Sequence, residues 1–349
     1  MRLDFATLDF VCQKVAADDE GKRDYICPIE HLTYEVEEGS GQSLIICPFG
    51  QFTLTPFAEI QICQKLGIPV SYLRRCPPWL KRENIDYWLE QRKREGGEVL
   101  LRTKGDWLRA FLSKSYSIFD NKDLLDVLSS VPSIGNEILP HASGLSLTDK
   151  SFHLPLIKPE PVEVQNGRRK ERLYLGVYLR NSEVGFLRVS LSACLHREGC
   201  GNIFVSSCLL SKVHIGIEKD ILSQKIGEFI GKALSLTAPK IASALIKALS
   251  VEISENQRGR VFLRAAKLAG KKALLELFEQ EYLQEKIESG VGDTLFTATQ
   301  ALTRVAQHLP DADDRYILSR FATELLLTNG HRETVDSPEN IADPCLLLT

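Results

Sequence analysis

No stretch of this chain approaches the roughly 18 to 20 uninterrupted apolar residues that a membrane helix needs. The first residues, MRLDFATLDFVCQKVAADDE, hold no basic run followed by an apolar core. A span and a cleavable leader are therefore not expected, and the chain reads as cytoplasmic with no membrane partner. CxxC pairs are missing too: the nine cysteines, at 12, 27, 47, 63, 76, 194, 200, 208 and 345, are odd in number and irregular in spacing. That argues against a disulfide framework and leaves most of them as reduced, buried thiols. Charge of one sign is not in excess, the net being -3, so any surface that takes a polyanion must be local. Neither GxxxxGK[ST] nor GxGxxG after a strand occurs, which argues against a P-loop ATPase and a dinucleotide enzyme. No internal repeat is present, and no cofactor is expected.

What the chain does have is 349 residues with 44% hydrophobic content, enough for one large or two ordinary globular domains. Its organising stretch is Arg172 to Gly216. Leu173, Leu175, Val177 and Leu179 alternate with Tyr174, Gly176, Tyr178 and Arg180, the period of a half-buried strand. After Asn181-Ser182-Glu183-Val184-Gly185, Leu187, Val189, Leu191, Ala193 and Leu195 alternate with Arg188, Ser190 and Ser192, which predicts a hairpin. A third strand is expected over Ile203 to Leu210 and a short fourth segment over Val213 to Ile217. A helix then buries Leu222, Ile226, Phe229, Ile230, Ala233 and Leu234, capped at Asp220 or earlier and broken at Pro239. The apolar sheet face needs that helix as cover. The other face, with Tyr174, Tyr178, Arg180 and Arg188, reads equally as a solvated surface or as a binding surface.

The flanking regions carry their own signals. Tyr25 to Ile29 and Leu44 to Phe49 suggest a small sheet, and Thr55, Pro56 and Gly67 mark the start and stop of a helix. Another helix is expected near Lys81 to Arg94, with Ile85, Trp88 and Leu89 inward. Its basic end suits either the helix dipole or a phosphate. Glu98 to Leu112 reads as two strands about Lys104-Gly105, and a helix is entered at Asp120-Asn121. The Pro-rich stretch from Ser133 to Arg169 reads as a connector or a mobile arm. Beyond Pro239, helical spacing covers Ile241 to Ile253, Val261 to Ile287, Leu295 to Leu309 and Tyr316 to Leu327. The expected class is α+β: a central antiparallel sheet, strand-strand-strand-helix, with a helical C-terminal third. The expected division is 1-94, 95-250, 251-330 and a loose acidic tail, 331-349.

Local basic character does exist. Between Arg74 and Lys114 there are eleven Lys and Arg against six Asp and Glu, and Arg102, Lys104 and Arg109 lie near one turn. A positive groove with aromatic faces is the chemistry of single-strand nucleic-acid binding. The residues this picks out are Arg102, Lys104, Arg109, Lys114, Tyr116, Tyr174, Tyr178, Arg180, Asn181, Arg188, Arg197 and His214. Cys194, His196, Cys200 and Cys208 invite a zinc reading, against which stands their unfixed spacing. His196 and His214 could instead serve a nuclease-like enzyme, although no paired carboxylates cluster in sequence around His214.

Several phrases together resemble the phage- and plasmid-borne family called domain of unknown function 932. They are FTLTPFAEIQICQKLGIPVSYLRRCP, RAFLSKSYSIFDNKDLL, LYLGVYLRNSEVGFLRVSLSACLHREGCGN, the HIG at His214, and LFTATQALTRVAQH. The chain departs from that family's Cys-Thr-Asn-Gly turn at Cys200-Gly201-Asn202, and the family name itself assigns no activity. By topology alone the strand-strand-strand-helix order is similar to single-strand annealing proteins such as Red-beta, RecT and Erf. That resemblance implies an ATP-independent, non-catalytic binder of single-stranded DNA or RNA that forms a homo-oligomeric ring or filament. The other classes are a nucleic-acid enzyme using the two histidines and an interaction protein acting on a host or defence complex through the helical third.

Overall fold

The computed structural model describes residues 3–37, 39–166, 169–198, 201–214 and 216–330. It is α+β, with two sheets and a helical C-terminal region. Helix α1 (Leu8–Asp19) precedes β1 (Lys22–Pro28), β2 (Thr33–Val36), β3 (Ser43–Cys47) and β4 (Gly50–Leu54). Helices α2 (Pro56–Leu66), α3 (Val70–Leu73) and α4 (Pro78–Glu95) then lead to β5 (Glu98–Lys104) and β6 (Trp107–Ser113). The six strands join in the order β1-β5-β6-β4-β3-β2, antiparallel except for β4 beside β6. A parallel pair needs a long crossover, which α2 to α4 supply. Helix α2 is set by local chemistry: the Thr55 hydroxyl accepts from the Ala58 amide at 3.2 Å, Pro56 opens the first turn, and Gly67 closes it at φ 73. The division expected at residue 94 cuts through this sheet, because β5 and β6 are its centre.

The second sheet follows α5 (Asn121–Ser129). Its strands are β7 (Leu139–Pro140), β8 (Ser146–Leu147), β9 (Phe152–Ile157), β10 (Val162–Asn166), β11 (Arg169–Asn181), β12 (Val189–Arg197) and β13 (Ile203–Lys212). The expected hairpin forms, with Leu173 opposite Arg197 and Leu179 opposite Leu191. The stretch read as a connector is instead structural: all six residues of β9 are buried, and the strand pairs with β11 at Val177 and Leu156. Its prolines sit at strand ends and on a strand whose ladder they interrupt only locally. Val213, His214, Gly216 and Ile217 lie outside any strand, and His214 turns inward from a bend.

Helices α6 (Lys219–Lys232) and α7 (Ala238–Lys247) lie on the aliphatic sheet face, burying Leu222, Ile226, Ile230, Ile241 and Leu245 with Val177, Leu191 and Leu195. Pro239 does not end the helix as expected. A five-residue π segment, Ala233–Thr237, sits just before it and shifts the hydrogen-bond register where proline has no N–H to give. The resulting helix is the one candidate span by length and composition among the described residues, and its inner stripe belongs to the core. Four more helices follow, α8 (Glu255–Leu268), α9 (Leu274–Ser289), α10 (Leu295–His308) and α11 (Ala312–Leu327). The single run expected from Val261 to Ile287 is two helices because Gly270 turns the chain at φ 63.

The decisive difference from expectation is the second face of this sheet. All nine residues of β12 are buried, and Tyr174, Tyr178 and Arg180 are 7%, 6% and 1% exposed. Alternation reveals the polarity of each face but not whether something covers it. Here the cover is itself polar: α11 brings Asp313 onto Ser151 and Tyr316 onto Ser192 and Tyr178, and α10 sets Gln300 against Arg197.

Candidate functional site

The first cluster of sequence-selected residues lies where the two sheets meet. Arg102 is 2% exposed; its Nε and Nη2 donate to Asp24 at 2.8 and 3.0 Å, Nη2 also reaches Asp120, and Nη1 donates to the Glu183 carbonyl at 2.6 Å. Arg109 donates to Glu183 Oε2 at 2.8 Å and Lys22 to the same oxygen at 2.7 Å, while the Asn121 amide donates to Oε1 at 3.1 Å. Burial alone would raise the Glu183 carboxyl, but Lys22 and Arg109 hold it below the usual range. Arg102 and Arg109 are thus bolts between layers rather than free phosphate ligands. Lys114 is exposed and paired with Glu98.

Tyr116 and His214 belong to the same seam. The Tyr116 hydroxyl donates to the Ser182 carbonyl at 3.2 Å, and its ring stacks on His214 with centroids 5.3 Å apart. His214 Nε2 bonds Asn181 Oδ1 at 2.9 Å, and Asn181 Nδ2 donates to Asn121 at 2.9 Å. Burial and the Arg102 charge push the His214 imidazole down to about 4. His196 sits by Tyr174 at the far end of β11, edge-on to His141 at 5.0 Å, and burial drives it to about 3. Tyr174 and Asn181 are seven residues apart on one strand, roughly 23 Å. The two histidines therefore cannot share one reacting centre.

The zinc reading finds no support among the described residues. The Cys194 thiol is pushed up by burial, and Cys208 Sγ donates to the Leu210 carbonyl at 2.8 Å; Cys200 lies outside the described residues. Among the described residues no His, Cys, Asp and Glu group has metal-holding geometry. Arg197 is buried against Glu171, Glu285 and Gln300, and Arg188 is half-buried between β11 and β12.

Two of the selected residues do face a common space. Lys104 and Arg109 line a surface cavity of about 580 Å³ together with Trp107, Thr55, Asp18 and Asp149. Trp107, at the β5–β6 tip, leaves 46% of its surface in solvent. Lys104 Nζ reaches Asp18 at 2.7 Å, yet its side chain remains 40% exposed. An indole face beside an accessible ammonium is the pairing that a base and its phosphate require. Trp107 was overlooked in the sequence because it follows the turn directly and contributes no periodicity.

The covered face gathers residues that sequence reasoning missed. His153, fully buried on β9, bonds Asp313 Oδ1 through Nε2 at 3.1 Å and the Tyr178 hydroxyl through Nδ1 at 3.3 Å. Burial would raise Asp313, but the His153 and Ser151 hydrogen bonds and the Lys150 charge hold it down to about 2. Burial, with Arg180 and Arg315 nearby, lowers His153. The carboxylate is ionised and the imidazole neutral, so Nε2 carries the proton and Tyr178 donates to Nδ1. Tyr316 closes over this group, its ring centroid 3.5 Å from the Arg180 guanidinium carbon and 5.4 Å from the Tyr178 ring. No family model, curated protein or solved structure matches this chain.

Proposed function

We propose that the chain binds single-stranded nucleic acid, DNA or RNA, without ATP and without catalysis, at the cavity beneath Trp107. The observation that carries this reading is the exposed indole next to Lys104 and Arg109 at one hairpin tip. A base stacked on Trp107 contributes about 1–3 kcal/mol. Lys104 supplies the phosphate contact once its side chain swings from Asp18, and several copies of the chain along one strand would add such weak contacts. The topological resemblance to annealing proteins agrees with this reading but rests on the strand order given above, and the resemblance to domain of unknown function 932 implies no activity.

Anisotropy titration of a labelled oligonucleotide with Trp107→Ala tests it. Affinity should fall by about the stacking increment, and unaltered affinity would remove the cavity from consideration. One further observation favours an interaction protein: Tyr72, Trp79, Tyr87 and Trp88 on α3 and α4 are 40%, 62%, 60% and 45% exposed, beside exposed Arg74, Arg75 and Arg94. Tryptophan, tyrosine and arginine are the side chains that anchor protein interfaces. A defect of Trp79→Ala or Tyr87→Ala in complex formation, with oligonucleotide affinity intact, would favour that second reading.

A further inference from the structure

Beside Tyr178 lies a second, smaller chamber of about 140 Å³, lined by Tyr178, Tyr316, Arg315, His141, Gln307 and Ser319 among others. That is room for only a few waters or one small group, well short of the 300–1,000 Å³ of ordinary ligand pockets. Among the described residues its lining includes no carboxylate. Arg315 supplies the charge: Nη1 donates to the Leu309 and Pro310 carbonyls at 2.9 and 3.4 Å, and no ion pair engages the guanidinium among the described residues. A cation without a counter-charge at the wall of a chamber selects an anion.

The hydrogen-bond polarity of the other walls narrows the choice. Tyr178 spends its proton on His153 Nδ1, because His153 Nε2–H is held by Asp313. Its remaining capacity is as an acceptor. His141 Nδ1 lies 3.2 Å from the Asp4 carbonyl, which can only accept, so the proton is on Nδ1 and Nε2 is a lone pair. Of the lining groups whose proton positions the network fixes, the chamber thus presents one cation and two acceptors, while Gln307 and Ser319 can turn to donate or accept. An oxyanion that still carries a proton fits both demands, whereas a fully deprotonated one meets lone pairs head on.

We propose that this chamber binds a phosphate group in its hydrogen-phosphate form, either the free ion or the end of a small phosphomonoester, with Arg315 on the anionic oxygens and the Tyr178–His153–Asp313 chain fixing Tyr178 as acceptor for the P–OH. Sulfate has the same shape and carries no proton at neutral pH. Calorimetric titration of the full chain with inorganic phosphate and with sulfate therefore tests the idea without any substitution. Phosphate should bind at least tenfold more tightly than sulfate, and Arg315→Gln should cost at least tenfold for phosphate. Tyr178→Phe keeps the ring and removes the acceptor, so it should reduce the phosphate preference. Glycerol phosphate in parallel separates the sources: tighter binding of ester or of ion supports the site and says which form occupies it. Absence of phosphate binding at millimolar concentration, or sulfate binding equal to phosphate, would overturn the proposal, as would undiminished phosphate binding by a folded Arg315→Gln.

Discussion

Glu183 and Arg109 meet at 2.8 Å, 3% and 5% exposed, and this contact ties the turn after β11 to the six-stranded sheet. Lys22 shares the same carboxylate oxygen. A buried pair is poor evidence of net stabilisation, but removing one partner strands the other charge. Glu183→Ala should therefore cost about 3–5 kcal/mol in urea unfolding. A loss under about 1 kcal/mol would mean that water reaches Arg109 and Lys22 freely.

Acid should weaken the protein in two steps. His214 is held neutral, at about 4 against an ordinary 6.5. Between those values the unfolded chain takes up a proton that the folded one refuses, so stability present above pH 6.5 is lost as pH falls toward 4, by roughly 3 kcal/mol for this group. Glu183 and Asp313 have lowered carboxyls, and their contribution, present above the ordinary carboxylate range, is lost as pH falls through their folded values, near 2 for Asp313. Urea midpoints at pH 7 and 5 should differ more for the wild type than for His214→Gln. His196, held at about 3, contributes over the same interval and is untouched by that substitution, so the first step should shrink without vanishing; equal differences would show that His214 carries none of it.

Tyr178→Ala should behave as a core deletion. The ring packs between His153 and Tyr316, so truncation should cost about 3–5 kcal/mol. Thermal melting of Tyr178→Ala and Tyr178→Phe decides this: the Phe variant keeps the packing and should lose far less. A stable Tyr178→Ala with an isolated binding defect would instead restore the open stacking face.

What the sequence made legible was whatever short-range chemistry decides. Thr55, Pro56 and Gly67 bound α2 through capping and backbone preference alone, and the Leu/Val alternation of β11 and β12 set the hairpin register. Two things escaped. Phe152 to Ile157 is too short and too rich in neighbouring proline to stand out, although buried strands are short apolar runs. The covering of Tyr178 by α11 depends on Asp313 and Tyr316, more than 130 residues later, where a first-turn Asp and a helical Tyr look like surface. The same long-range pairing spent Arg102 and Arg109 on carboxylates that sequence proximity does not reveal.

That spending sets the last prediction, on salt dependence. If Arg102, Lys104 and Arg109 were all free, their joint loss would flatten the slope of log affinity against log salt by about two, at roughly 0.7 per single-strand phosphate contact. Arg102 is sealed by Asp24, Asp120 and the Glu183 carbonyl, and Arg109 by Glu183. Only Lys104 can change partner at the cost of one half-exposed ion pair, which is worth at most about 1 kcal/mol. Lys104→Ala should therefore flatten the slope by about 0.7 and leave folding intact. Arg102→Ala should lower the melting temperature instead, through the two stranded carboxylates. Oligonucleotide titrations from low to moderate salt, run beside melts of both variants, separate the outcomes. A slope that stays the same in Lys104→Ala would take the phosphate contact away from this hairpin and leave Trp107 without a partner for its base.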